Sequence, residues 1–419
     1  MRVTQMMLYR NTASSLQAQY QELSKIQDQT TSGNRIATSS DDPTAMYRHL
    51  LFSSDLAGVD TLKKTTGMAT DRFIMAEQSV QTIQEKFQDA SELIIKMGSS
   101  NSAGIPQIMK ATGQEVLAMY QDVMKSANVQ VDGVPLFGGG KTRNPFSDGV
   151  VMATGVKLRA GSTGGFVDIP GAVGTTATTG TTTTTGTTAS AQITGTPATV
   201  PMSVKVTYRT TGAQGATLAA PVYTVDVNGD ATDVVATGGQ QVINVASGVT
   251  FTITPATTQA NKDAYYFEVV PAYQGGAADR KVKVADTRSI DGNVTGDELI
   301  NGKTPPGRGV NLLAALTALR GAFLRADNDE VNAWLGRIQE GRAQASDMQA
   351  ITGIRGAQVQ SINSTLEDDS LTLTEAKANN ISADTFDVMS RLEQTTQALQ
   401  VMMSSERQVL NTSLLDFLR

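Results

Sequence analysis

Thr31-Ser32-Gly33-Asn34-Arg35-Ile36, followed by Ser39-Ser40-Asp41-Asp42-Pro43, is the stretch that decides how this chain is divided. Its second half is a helix start. Asp42 offers a carboxylate to the unpaired amides of a first helical turn, and Pro43 suits that turn because the N–H it lacks would be unpaired there anyway. Downstream, Ile74, Val80, Ile83, Phe87, Leu93 and Ile94 recur at helical spacing, so a long helix is predicted from Pro43 to about Met97, and a third over about Gln107 to Ala127. Upstream, a helical pattern runs from about Thr4 to Thr31.

The two extremities carry narrow heptad stripes. Near the start, Met6, Ala13 and Tyr20 repeat every seven residues, interleaved with Tyr9, Leu16 and Leu23. Near the end, a helix over about Ala383 to Leu418 places Val388, Thr395, Met402 and Val409 in one set and Leu392 and Leu399 in the other. These are the two sets of a coiled-coil seam. The first stripe is thin, since Gln17, Gln19, Gln21, Gln27 and Gln29 surround it, so it buries little area alone. Two such stripes are expected to cover each other or matching stripes on neighbouring copies.

Composition changes between the extremities. From about Val150 to Pro306 the chain is rich in Thr, Gly and Val, with period-two runs at Ser203–Tyr208 and Val222–Val227, and further alternation at Phe251, Ile253, Phe267, Val269, Val282 and Val284. Asn228-Gly229 supplies a hairpin turn. Residues 171–200 hold no charge and are nearly half Thr, which reads as a low-complexity loop. The expected class is therefore α+β: long terminal helices in a coiled-coil or helical-bundle stalk, with an antiparallel β domain inserted mid-chain.

Candidate chemistry is sparse. At 419 residues, two or three domains are expected. The chain has no Cys, which excludes disulfides, zinc–thiolate sites and thiol nucleophiles, and a single His, His49, on the second helix. A lone imidazole without a positioned partner is a poor catalyst. Asp41-Asp42 and Asp368-Asp369 are carboxylate pairs, and helix capping is the expected explanation of both. Gly138-Gly139-Gly140-Lys141-Thr142 resembles a phosphate loop, but Pro135 stands where its first Gly is required, and Asn144-Pro145 follows where a helix should. A glycine-rich turn between two short strands fits better. No Gly-x-Ser-x-Gly elbow occurs. The reading is of no enzyme, no metal and no cofactor. A net charge of −6 argues against nucleic acid. No apolar run reaches the roughly 18 residues of a membrane helix, and Met1–Asn11 lacks a secretory signal's apolar core.

Thr31 to Pro43 resembles the N-terminal signature shared by flagellins and hook-filament junction proteins, in which a long helix ends at Ser-Gly-x-Arg-Ile and an Asp-Asp step opens the next; Gly33, Arg35, Ile36, Asp41 and Asp42 fall on it. Pro43 is the junction-type variant. Phe137-Gly138-Gly139-Gly140-Lys141-Thr142, then Pro145-Phe146, is similar to a turn of the junction proteins, and Ser413-Leu414-Leu415-Asp416-Phe417-Leu418 looks like the family's C-terminus. The resemblance covers about 1–149 and 309–419. It implies a terminal coiled-coil domain of residues 1–42 with 370–419, disordered in the free monomer; a helical domain of 43–149 with 307–369, carrying a short β-hairpin; and an outward β domain of 150–306. It also implies export by the flagellar type III pathway with a chaperone, and an extracellular place at the hook-filament junction. The expected partners are hook-associated protein 1, flagellin and further copies in a ring. Self-polymerising flagellin is the alternative. Met6, Tyr9, Leu16, Leu23, Leu392, Leu399, Leu414, Leu415 and Phe417 are the expected assembly residues.

Overall fold

A computed structural model describes residues 5–99, 105–158, 167–169, 179–184, 187–193, 200–211, 217–235, 241–246, 249–254, 264–277, 280–285, 287–302 and 309–417. In chain order the helices are α1 (Gln5–Ser32), α2 (Pro43–Ser99), α3 (Pro106–Ala127), α4 (Gly296–Asn301), α5 (Leu312–Leu324), α6 (Asn328–Ala333), α7 (Leu335–Ile381) and α8 (Thr385–Phe417). The strands are β1 (Gln130–Val131), β2 (Val134–Pro135), β3 (Phe146–Leu158), β4 (Val167–Ile169), β5 (Thr179–Thr184), β6 (Thr187–Ile193), β7 (Met202–Thr211), β8 (Thr217–Val227), β9 (Asp230–Val235), β10 (Gln241–Ala246), β11 (Val249–Thr254), β12 (Ala264–Tyr273), β13 (Lys281–Lys283) and β14 (Ser289–Asp291). The class is α+β, with an antiparallel β region inserted between helical ends. The chain parts into two compact units, residues 1–64 with 362–419, and residues 65–361.

In the larger unit, α2 contributes Phe73, Ala76, Val80, Ile83, Phe87, Ala90, Ile94 and Met97, all buried. Their spacing alternates three and four, so they form one stripe of a 3.6-residue helix. Ile74, which the sequence placed on that stripe, is instead exposed, because Phe73 occupies the inward position one residue earlier. The helix α5 is buried nearly all round, with α3 on one side and β12 and β7 on another, as its uniformly apolar sequence requires. Asn311 opens it, accepting the Ala314 amide at 2.8 Å.

The larger sheet has strand order β4-β3-β12-β7-β8-β9, with neighbours antiparallel. The Asn228-Gly229 turn has φ of 53° and 94°, the two positive values that a tight hairpin turn needs. Tyr265, Phe267 and Val269 of β12 join Val204, Val206, Tyr223 and Val225 in a core on one face of this sheet. The other face of β12 is buried too, since Val270 and Ala272 enter the helical core and Tyr266 stacks edge-on to Trp334 at 6.3 Å. A second sheet runs β10-β11-β6-β5. This corrects the loop reading of residues 171–200. Residues 179–184 and 187–193 are paired strands, Thr183 opposite Thr188, while 171–178, 185–186 and 194–199 lie outside the described residues. Threonine's β-branched side chain favours the extended backbone; β5 pairs with the adjacent β6, and β6 takes its second partner, β11, from far along the chain.

Charges tie the larger sheet to the helices. Between α5 and α6, Arg325 Nε donates to both Glu330 oxygens at 3.2 Å and its Nη1 lies 3.4 Å from Asp226 Oδ1; Lys205 Nζ reaches Glu330 and Asp327 at 2.8 Å each. Burial works against the Lys205 charge, but the attraction of Glu330 leads the opposing effects and holds the ammonium above its ordinary pKa.

Candidate assembly interface

The smaller unit contains the chain's two extremities. Gly33, at φ +70°, leaves α1 through the left-handed region that favours glycine, and its N–H bonds back to the Gln29 carbonyl at 2.9 Å. The next residues then pair across most of the chain length. The Arg35 amide donates to the Ile381 carbonyl at 2.7 Å, and the Ala383 amide to the Gly33 carbonyl at 2.9 Å. This antiparallel bridge centres on Asn34 and Ser382. Helix α1 runs into the joint and α8 runs out of it, and the two pack side by side, so they lie antiparallel. Ile36 is buried, and Asn380 Nδ2 caps the Ala45 carbonyl at 2.6 Å.

Asp41 and Asp42 have separate structural tasks. Asp41 Oδ2 accepts the amides of Ala37 at 3.2 Å and Thr38 at 3.0 Å, while its Oδ1 pairs with Lys25 Nζ of α1 at 2.9 Å. The Lys25 ammonium first, then the two amides, hold its carboxyl far below the usual range. Asp42 Oδ1 caps α2 through the Ala45 amide at 3.0 Å, which with Arg35 also lowers its pKa. Two depressed carboxyls are both ionised at neutral pH, the opposite of the split pair that acid–base catalysis uses. Each stabilises the joint above the unfolded carboxylate value of 3.8, and that contribution is lost as pH falls through the depressed folded values. Acidification below pH 4 is therefore expected to lower the exchange protection of the Ala37 and Thr38 amides. Asp41→Asn should lower it at neutral pH as well, and unchanged protection in that variant would count against the clamp. His49 lies half-buried on α2, and its Nδ1 has no hydrogen-bond partner among the described residues.

The glycine turn, like the signature, is a fastening. It links β2 to β3. Phe137 is buried and its carbonyl accepts the Gly296 amide at 2.9 Å; the Gly138 carbonyl accepts the Gly276 amide at 2.9 Å. Gly139, at φ +55°, sits where a Cβ would run into the Gly276 carbonyl. Lys141 Nζ donates to the Gln274 carbonyl at 3.1 Å and the Pro145 carbonyl accepts the Gln274 amide at 2.7 Å, so the turn seals the end of β12. Phe146 packs on Tyr273 at 5.5 Å, and Thr142 is exposed.

Of the residues expected at an assembly surface, Leu16, Leu23 and Leu392 are half-buried and Leu399 is buried. The side chains of Met6, Tyr9, Leu414, Leu415 and Phe417 lie outside the described residues. Ala13 and Tyr20, the other heptad set, are exposed. A single partner helix covers a single stripe, and that stripe ends at Ile26, which is 2% exposed. Ile26 follows Leu23 by three, a step the seven-residue count passed over. What stays uncovered is large: Phe386 is 85% exposed, and Met7, Tyr47, Leu50, Leu371, Met389 and Val401 are exposed with it. Phe386, Met389 and Leu392 line an open groove on α8.

Among the described residues no helix is long and apolar enough to cross a membrane. No curated protein matches the chain. The chain is similar to a solved flagellar hook-associated protein of Vibrio parahaemolyticus (14% identity, 82% of this chain and 100% of that one, TM-score 0.46). It is also similar to FlgL of Bacillus cereus (11% identity, 77% and 97%, TM-score 0.42) and to the flagellar junction protein FlgL of Legionella pneumophila (14% identity, 80% and 100%, TM-score 0.32). The family model that matches is that of the bacterial flagellin N-terminal helical region, over residues 3–142 of this chain.

Proposed function

We propose that this chain is a structural component of the bacterial flagellum, an adaptor that joins the hook to the flagellin filament. The observation that carries the reading is the joint at Gly33–Pro43. It fastens the two extremities together through Arg35 and Ile381 while leaving large apolar side chains of α2 and α8 uncovered. The match of residues 3–142 to the flagellin N-terminal region supports the superfamily. Pro43 and the sealed turn at 136–146 support the junction branch.

Function on this reading is geometric. Copies set side by side in a ring cover one another's apolar stripes. One end of the ring meets another hook-associated protein and the other meets flagellin, outside the cell, after export with a chaperone. A flagellin that polymerises with itself is the second reading, favoured by the family match alone. Electron microscopy of cells lacking the chain separates them. The adaptor reading expects intact hooks without filaments and flagellin shed into the medium. Normal filaments in those cells would overturn it, and long filaments grown from the purified chain alone would favour flagellin.

A further inference from the structure

The hairpin β13–β14 lies on the helices, with Val282 and Ile290 packed against Ala69 and Phe73 of α2 and Val359 of α7. That packing gathers arginines from three elements. Asn293 links two of them: its Oδ1 accepts the Arg280 amide at 2.6 Å, and its carbonyl accepts from Arg355 Nη1 at 2.5 Å. Arg72 precedes the buried Phe73, on which the hairpin packs, and so lies in the same neighbourhood as Arg280. Burial first, and then the like charge of Arg280, lower the Arg72 pKa, with Asp132 working the other way. Neither the Arg72 nor the Arg280 guanidinium makes a hydrogen bond or ion pair among the described residues. Lys281, beside them, is already paired with Asp291.

Like charges gathered at one place favour an anion between them, and the planar forks of arginine match carboxylates in particular. The molecule as a whole is acidic, at −6. Its one run of three consecutive acids is Glu367-Asp368-Asp369 on α7. All three are exposed and make no ion pair among the described residues. Among the described residues, Arg72 and Arg280 thus have no ion-pair partner, and neither do Glu367, Asp368 and Asp369.

We propose that the basic patch of Arg72, Arg280 and Arg355 receives the acidic run Glu367-Asp368-Asp369 of a second copy of this chain. When the arginines of one copy meet the acids of a second, and its own acids meet a third, the contact is head-to-tail, the kind that closes rings or builds helical arrays. The inference rests on the assembly reading above and adds a specific contact to it.

The test uses full-length chains returned to cells that lack the protein. Arg72→Glu with Arg280→Glu should lose filament attachment, and so should Glu367→Lys with Asp368→Lys and Asp369→Lys; all five together should restore it. Neither guanidinium makes a hydrogen bond or ion pair among the described residues, so the thermal melts should stay unchanged, which separates lost contact from lost fold. The chain has no Cys, so Arg280→Cys combined with Asp368→Cys should give covalent multimers in the assembled structure. Wild-type attachment by either charge-reversed set, failure of the combined set to restore it, or cysteine variants that stay monomeric would overturn the inference while the adaptor reading stands. If cells without the chain keep their filaments, it is the adaptor reading that fails.

Discussion

Removal of residues 383–419 is expected to abolish assembly while leaving residues 65–361 folded. The main hydrophobic core runs from Ala76 to Met348 and owes nothing to α8. Its unfolding midpoint in urea should therefore not move. The smaller unit should respond differently. Without α8, the stripe of Leu16, Leu23 and Ile26 has no cover, and the glutamine-rich α1 has little else to bury. Most helical stability in proteins comes from packing of an apolar face, not from intrinsic propensity. The helical signal should therefore fall by more than the 33 residues of α8, because the 28 of α1 fray with it. The groove at Phe386 disappears in the same step. A truncated chain that still carries filaments would show that the paired ends are not the assembly surface.

Glu330→Ala should destabilise the larger unit by about 3–5 kcal/mol, the range for breaking a buried ion pair by removing one partner. Glu330 is 1% exposed and receives Arg325 and Lys205 together. Alanine would leave two largely buried cations side by side, with Asp226 and Asp327 answering them only in part. Both cations also sit near the Tyr266 ring, at 5.5 and 5.9 Å, so the aromatic contacts would shift with them. Urea unfolding of the full chain measures the loss. Replacing Arg325 with Met and Glu330 with Leu together should cost much less, since a buried ion pair and an apolar pair of similar volume are often close in stability. A change below about 1 kcal/mol for Glu330→Ala would mean that the network does not hold sheet to helix.

Much of the architecture was legible without coordinates because it is local. Pro43 and Asp42 open α2 where capping chemistry puts the start, and Asn228-Gly229 turns the hairpin where two positive φ values are needed. The glycines at 138–140 form a turn and not a phosphate cradle, as Pro135 already implied. The inward position of Phe73 over Ile74, the burial of β12 on both faces, and the strands at 179–184 and 187–193 were not legible in this way. Each depends on what the rest of the chain supplies as a neighbour, and period-two or heptad counting carries no record of that neighbour.

The same division runs through the candidate interface. Sequence alone determined that both extremities are helices with thin apolar stripes, and that a capped break at residues 33–43 separates α1 from α2. Backbone sterics and hydrogen bonding within a few residues settle such features. Only the tertiary structure decided that the Arg35 amide meets the Ile381 carbonyl, that Ile26 ends the covered stripe, and that Asn293 joins Arg280 to Arg355. Those contacts join residues far apart in the chain, and the free energy that selects them is realised only when the intervening segments have folded and packed.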